Sequence, residues 1–99
     1  MKLLDAIKNL RVDNLGYLKN IRIALEMRLD WLSFREPESD GMVHDEWSEK
    51  YDDLEEIFDL AEELEEEKDE EKMKDLIEEI QELTVTYQLI HGGLSRLKI

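Results

Sequence analysis

Carboxylate pairs one helical turn apart are the most frequent chemically capable groups in this 99-residue sequence. E-x-x-E pairs such as Glu62/Glu65 and Glu63/Glu66 present two oxygen ligands on one helix face, as helical Mg²⁺ sites require. Residues 53–83, however, hold sixteen Asp or Glu against three Lys, so this spacing arises there by chance. Most of these carboxylates also point away from the apolar stripe of their helix. A magnesium-dependent nucleotide pyrophosphohydrolase is therefore the third of three alternatives.

Other catalytic groups are sparse. The two histidines, His44 and His91, stand alone, and no E-x-x-H pair of the kind that di-iron bundles use is present. No Ser, Thr or Lys forms a recognisable nucleophile motif with a histidine, and no Gly-rich phosphate loop occurs. The chain has no cysteine, which excludes disulfides and thiolate metal sites. We expect a protein that is not an enzyme and has no cofactor or metal.

Residues 36–47, "EPESDGMVHDEW", partly match a calcium-binding loop between two helices. Acidic residues stand at three ligand positions, Glu36, Glu38 and Asp40, and Gly41 stands at the sharp turn. The twelfth position, which needs a bidentate Glu, is Trp47, and Pro37 follows the first ligand. We therefore expect a polar linker with a turn at 39–41.

The charge is strongly polarised along the chain. The net charge is −14, yet residues 1–35 hold seven Lys or Arg against four Asp or Glu, while residues 45–82 hold four Lys against twenty acidic groups. Such a field repels nucleic acid and anionic lipid and attracts basic surfaces. The longest uncharged stretch, 83–95, is too short to span a bilayer, and the N-terminus does not resemble a signal peptide. We expect a cytoplasmic protein that binds neither nucleic acid nor membrane directly.

The apolar periodicity predicts an all-α fold in one domain, 1–99, built as a three-helix antiparallel bundle. The predicted elements are a short amphipathic leader (1–12), helices over 14–34, 46–66 and 70–91, a linker (35–44) and a tail (92–99). Asp13, Asp45 and Asp69 are the predicted N-caps of the three helices, and Gly92-Gly93 ends the last one.

No Gly or Pro separates the second helix from the third, so one continuous helix is an alternative. Residues 65–72, "EEEKDEEK", contain no apolar side chain, however, and the apolar stripe resumes on a face rotated by roughly 80°. A turn near Lys68-Asp69 explains both facts. We therefore predict a helical hairpin.

Two surfaces stand out as candidate interfaces. The first is a row of carboxylates that we call the acidic ribbon. On the second helix its members are spaced 4, 3, 4 and 3 residues apart, so they share one helix face, and the row continues on the third helix. The members are Asp52, Glu56, Asp59, Glu63, Glu66, Asp75, Glu78 and Glu82. The second is a further apolar face on the first helix, with two residues of the last helix as candidate additions; its members are Tyr17, Ile23, Met27, Trp31, Phe34, Val85 and Leu89. Either the leader and tail cover this face, or a second copy does, as a homodimer in a larger helical bundle.

These patterns favour a protein that acts by protein–protein interaction. The preferred hypothesis is that the acidic ribbon imitates a phosphate backbone and inhibits or modulates a basic nucleic-acid-binding protein. Phage-encoded inhibitors of nucleases, anti-CRISPR proteins among them, offer an analogy of size and charge only. The second alternative is a structural or adaptor protein whose acidity serves solubility, since a charge run is usually a solvated helix face.

Overall fold

The computed structural model describes residues 1–38 and 41–99. They form four α-helices: α1 (Leu3–Lys8), α2 (Leu18–Ser33), α3 (Met42–Glu66) and α4 (Glu70–Ile90), followed by a 3₁₀ turn at Leu94–Arg96. The predicted all-α class is confirmed. None of the described helices combines the length and the apolar character that crossing a membrane requires.

The helices pack around one apolar core. α3 lies against both α2 and α4, and the short α1 contacts α2, α4 and the 3₁₀ turn. The leader is thus a fourth packed helix, where the sequence predicted three helices with a leader attached. α1 buries Leu3, Ala6 and Ile7 completely, which gives a six-residue helix the tertiary support that it lacks in isolation.

Most members of the apolar stripes that helical periodicity predicts form this core, but Ile90, which continues the stripe of α4, is 60% exposed. Each long helix turns a face with i, i+3, i+4 spacing inward: Leu18, Ile21, Leu25, Leu29 and Leu32 on α2; Leu54, Ile57, Ala61 and Leu64 on α3; Leu76, Ile77, Ile80 and Tyr87 on α4. Each fully buried Leu or Ile stabilises the fold by about 1.5–3 kcal/mol relative to exposure. The opposite faces of α3 and α4 are left to water.

The hairpin between α3 and α4 is present. α3 ends at Glu66, and Asp69 caps α4 by accepting hydrogen bonds from the backbone N–H groups of Glu71 (2.9 Å) and Lys72 (3.4 Å). The continuous helix is therefore excluded. At the other end of α4, Gly92 and Gly93 take positive φ angles of 68° and 90°, which an L side chain would strain.

The other two predicted N-caps are wrong. Asp13 lies in a turn in which Arg11 and Asn14 exchange backbone hydrogen bonds (2.9 and 3.4 Å), and this pairing holds the chain out of a helix until Leu18. α3 begins at Met42, earlier than predicted, so Asp45 lies within its first turn and complements the helix dipole there. Of the predicted linker turn, Ser39 and Asp40 lie outside the described residues.

The two ends of the chain close the bundle together. Leu3 donates its backbone N–H to the carbonyl of Leu97 (2.9 Å), and Ile99 donates to the carbonyl of Met1 (3.0 Å). The side-chain amide of Gln81 on α4 lies 3.0–3.3 Å from three carbonyls at the end of α1, those of Ile7, Lys8 and Leu10. These contacts satisfy backbone groups that a short helix leaves unpaired.

Candidate interaction surfaces

The acidic ribbon lies on the solvent side of α3 and α4. All eight of its carboxylates are exposed, and on α3 they stand opposite the buried Leu54, Ile57 and Leu64. Among the residues that the structure describes, none of the eight takes part in a salt bridge. The exposure that helical periodicity predicts for these side chains is therefore present on both helices.

The charge density of α3 is unusual for a solvated helix. Its 25 residues carry twelve Asp or Glu and a single Lys, Lys50. At 1.5 Å per residue this is about one carboxylate per 3 Å of helix axis, against about one phosphate charge per 1.7 Å in duplex DNA. The two densities are of the same order.

This arrangement opposes helix stability. Four i,i+3 or i,i+4 contacts between like charges run along the α3 part of the ribbon, and together they destabilise the helix by about 1–2 kcal/mol. The last turn of α3 contains no basic residue, although the helix dipole favours cations there. Interleaved lysines would keep the protein soluble without this cost.

Other carboxylates of α3 have structural partners. Glu65 accepts a hydrogen bond from Arg22 Nε on α2 (2.7 Å), and this bond raises the pKa of the guanidinium. Asp53 lies 2.8 Å from His91 Nε2 at the end of α4. These two carboxylates contact residues of α2 and of the end of α4, and so they help to hold the helices together. The ribbon carboxylates differ from them, because they face only water.

The His91 side chain is largely buried and packs on the ring of Tyr87, with the two ring centroids 4.8 Å apart. Tyr87 is 3% exposed. Its burial, and to a smaller extent the negative charge of Asp53, raise its pKa to about 12, although Arg28 acts in the opposite direction. Tyr87 lies on the apolar face that helical periodicity predicts for α4. Sequence reasoning missed the Asp53–His91 pair, because its members are 38 residues apart.

The apolar patch on α2 is only partly covered. The tail reaches one edge of it, where Ala24, Met27, Arg28 and Trp31 meet Leu97 and Lys98 around a shallow pocket of about 210 Å³. The predicted members nevertheless keep large exposed fractions: Tyr17 45%, Ile23 38%, Met27 67%, Trp31 40% and Phe34 86%. The tail thus covers one edge of the patch, as the first alternative from the sequence predicts. The centre of the patch stays exposed, which leaves the second alternative, coverage by another copy, open.

Trp31 lies between two cations. The guanidinium groups of Arg28 and Arg35 each lie 3.9 Å from the centre of its ring. Cation–π contacts of this kind are worth about 0.5–1 kcal/mol at exposed sites. The apolar patch therefore has a basic border, which contrasts with the acidic faces of α3 and α4.

Val85 and Leu89, the two candidate additions from the last helix, lie one turn apart on α4. They are 60% and 82% exposed on α4. Val85 borders an apolar groove of about 400 Å³ between α1 and α4, whose walls include Leu4, Ile7 and Thr84. The groove shares no lining residue with the pocket on α2. Sequence reasoning missed it because it exists only once α1 has docked on α4.

The linker region is braced by side chains. The indole N–H of Trp47 donates to the carbonyl of Leu32 near the end of α2 (2.9 Å), and Glu36 lies 3.1 Å from His44 Nε2. Within residues 1–38 and 41–99, no group of three or more His, Asp or Glu side chains converges in a way that would hold a metal ion. Asp40, a ligand in the calcium-loop comparison, lies outside those residues.

Comparison with known proteins gives no match to a family model, to a curated protein or to a solved structure.

Proposed function

We propose that this protein acts without catalysis, by binding the basic, nucleic-acid-binding surface of a protein partner through the acidic ribbon. The observation that carries the proposal is the set of exposed carboxylates with no ion-pair partner among the described residues, aligned along α3 at a cost to helix stability. A helix face that contacts only water could carry interleaved lysines and avoid that cost. A surface that binds a basic groove could not, because each lysine would weaken the attraction.

The partner class follows from the charge spacing. A groove lined by Lys and Arg that normally holds a phosphate backbone would accept carboxylates at a similar density, and the chain would then exclude nucleic acid from it. Nucleases and CRISPR effectors have grooves of this kind. We place the encounter in the cytoplasm, where such partners meet nucleic acid.

The experiment is a competition assay on a partner that has first been captured from source-cell lysate at low salt. A labelled DNA or RNA duplex is bound to that partner, and the chain is added. We expect displacement of the duplex, with an affinity that falls steeply as salt rises. The triple variant Glu56→Lys, Asp59→Lys, Glu63→Lys should lose the displacement while keeping wild-type helicity, because all three side chains are exposed.

A matched control changes the net charge equally at exposed acids outside the ribbon: Asp5→Lys, Asp13→Lys, Glu38→Lys. It should displace the duplex nearly as well as the wild type. Equal behaviour of the two triple variants would mean that only net charge matters, and it would overturn the ribbon as a defined site.

A second proposal concerns the apolar patch on α2, and the exposure of Met27 and Phe34 supports it. We propose that the chain associates with copies of itself through this patch, which would extend its small core. If the ribbon fails its test and self-association holds, the protein is a structural or adaptor component whose acidity serves solubility. Sedimentation of the wild type over a wide concentration range tests this, and a monomer throughout would overturn it.

A further inference from the structure

The groove between α1 and α4 has the size and depth of a site for a small apolar ligand. Two of its lining residues, Ile7 and Thr84, are buried, whereas Val85, which also lines it, is exposed, so the groove runs from the core to the surface. Its volume of about 400 Å³ lies within the range of about 300–1,000 Å³ that is usual for small-molecule sites. A methylene group occupies a space similar to that of a liquid water molecule, about 30 Å³, so an alkyl chain of about ten carbons fits.

The polar side chains in the walls of the groove have hydrogen-bond partners within the protein. Thr84 donates its hydroxyl to the carbonyl of Ile80 (2.7 Å), and the side-chain carbonyl of Gln88 accepts from the backbone N–H of Leu94 (3.0 Å). The side-chain amide nitrogen of Gln81 is held by the carbonyls at the end of α1. An alkyl chain in the groove would break none of these hydrogen bonds, which favours an apolar ligand over a polar one.

Lys8 is the only charged residue among the described residues that line the groove. It is exposed, and it forms no salt bridge within the described part of the chain. Asp5 lies about one turn before Lys8 on α1, and Glu82 borders a neighbouring depression on α4, but neither lines the groove. From residue 83 to residue 90, α4 has no acidic or basic side chain. The charge that the groove itself presents to a ligand is therefore positive.

The chain segments around the groove are basic, although the whole chain is acidic. Residues 1–12 hold three Lys or Arg against one Asp, and residues 92–99, which pair with them at Lys2 and Lys98, hold two against none. At physiological salt, charges farther away than about 8 Å are largely screened. These nearby groups therefore count for more at the groove than the net charge of −14 does.

We infer that the α1–α4 groove binds a medium-chain alkyl carboxylate, with the alkyl chain along the apolar walls and the carboxylate at the ammonium group of Lys8. The chain matches the volume and the apolar walls, and the head group matches the charge that the described walls offer. The groove contains no member of the acidic ribbon and lies apart from the pocket on α2, so its test is independent of both proposals above.

A helix of a protein partner fits this groove less well. Such a helix binds through apolar anchors that extend over about two turns, roughly 11 Å. The α1 wall runs only from Leu4 to Lys8, about 6 Å of helix axis. An alkyl chain can bend within so short a groove, whereas a helix cannot.

The first experiment measures the alkyl part of the site. The full chain is titrated by calorimetry with hexanoate, octanoate and decanoate at physiological salt, with each probe below the concentration at which it forms micelles. We expect the affinity to rise about fourfold for each added methylene, because each one buries further apolar surface. An affinity that does not rise with chain length would overturn the apolar site.

Two matched variants locate the site on α4. Val85→Glu places a carboxylate in the wall of the groove and should lower the affinity for decanoate by about tenfold or more. Leu89→Glu makes the same change one turn away, at an exposed residue that does not line the groove, and should bind decanoate as the wild type does. Both positions are exposed, so both variants should keep wild-type helicity by circular dichroism.

The head group is tested with octanoate and octylammonium, which have the same chain and opposite charges. The wild type should prefer octanoate by about two- to fivefold, the range expected for an ion pair at an exposed lysine. Lys8→Glu should reverse this preference. Lys72→Glu changes the net charge equally at an exposed lysine of α4 outside the groove, and it should keep the preference.

Methyl NMR of the decanoate complex shows where the ligand lies. The methyl signals of Leu4, Ile7 and Val85 should shift, and that of Met27 in the apolar patch on α2 should not. Shifts confined to Met27, or equal binding by the wild type and Val85→Glu, would exclude the groove. A preference for octylammonium that Lys8→Glu leaves unchanged would exclude the carboxylate. Failure of every probe to bind would overturn the whole inference, without bearing on the acidic ribbon or on self-association.

Discussion

At the scale of single residues, two groups of carboxylates on α3 differ: two side chains with a partner on another element, and the five ribbon members without one among the described residues. Glu65 and Asp53 each meet a cation or a histidine on a neighbouring helix, at 2.7 and 2.8 Å. The ribbon members face water, and none of them has an ion-pair partner within the described part of the chain. Sequence spacing identified the second group, because helical periodicity alone separates inward from outward positions.

Tyr87 gives a residue-scale prediction about pH. Its pKa is about 12 in the folded chain against 10.0 for the free side chain. Because tyrosine is charged when it loses its proton, the folded state keeps a proton that the unfolded chain releases. The contribution of Tyr87 to the free energy of unfolding is therefore fully present below about pH 10. It is lost as the pH rises toward about 12, at roughly 1.4 kcal/mol per pH unit.

Urea unfolding of the wild type and Tyr87→Phe across this range measures the effect. The variant should lose this part of the pH dependence, whereas Tyr17→Phe, at a half-exposed ring, should keep it. If Tyr87→Phe loses stability as steeply as the wild type above pH 10, burial of Tyr87 is not the cause.

At the scale of elements, α3 combines a well-formed apolar face with an unfavourable charged face. The triple variant Glu56→Gln, Asp59→Asn, Glu63→Gln removes four like-charge contacts along the ribbon. We expect it to be more stable than the wild type by about 1–2 kcal/mol at low salt, with the gain shrinking as salt screens the charges. Urea unfolding at low and high salt measures this.

The comparison variant for α3 is Asp5→Asn, Asp13→Asn, Glu38→Gln, which changes the net charge equally outside the ribbon. It should differ from the wild type by no more than about 0.5 kcal/mol. An equal gain in both variants would assign the effect to overall charge and not to the alignment of carboxylates on α3. A stabilised ribbon variant that has lost partner binding would show that the ribbon sacrifices stability for recognition.

The turn between α3 and α4 shows how far an element can be read from the sequence. The apolar gap at 65–72 and the rotation of the stripe predicted a break, and Asp69 supplies the cap. The same reasoning failed at Asp13, since a backbone turn between Arg11 and Asn14 delays α2. A capping residue shows that a helix can start there, but local backbone pairing decides whether it does.

At the scale of the whole molecule, the bundle is closed by its two ends. Leu94 in the tail is 1% exposed and belongs to the same core as Leu3 and Ile7 of α1. Leu94→Ala should therefore destabilise the protein by about 2–5 kcal/mol, because it leaves a cavity where the tail meets α1. The midpoint of urea unfolding measures the loss.

Leu89→Ala is the matched control for the tail, since the same substitution there affects a leucine that is 82% exposed. It should change stability by no more than about 0.5 kcal/mol. If the two variants unfold alike, the tail is not part of the cooperative core.

The sequence by itself determined the helical class, the inward stripes of the three long helices, the hairpin at Asp69 and the exposure of the acidic ribbon. All of these follow from periodicity and from local capping, which act over a few neighbouring residues. Helical periodicity alone puts Leu54, Ile57 and Leu64 on one face of α3 and the α3 part of the ribbon on the other.

Only the tertiary structure decided how the ends pair, which acids find partners and where the apolar groove lies. The six-residue α1 is too short to be stable alone, so its position depends on the core that it completes and on the amide of Gln81. The Asp53–His91 pair and the α1–α4 groove join residues far apart in the chain. No local pattern encodes such contacts, because they depend on how whole helices pack.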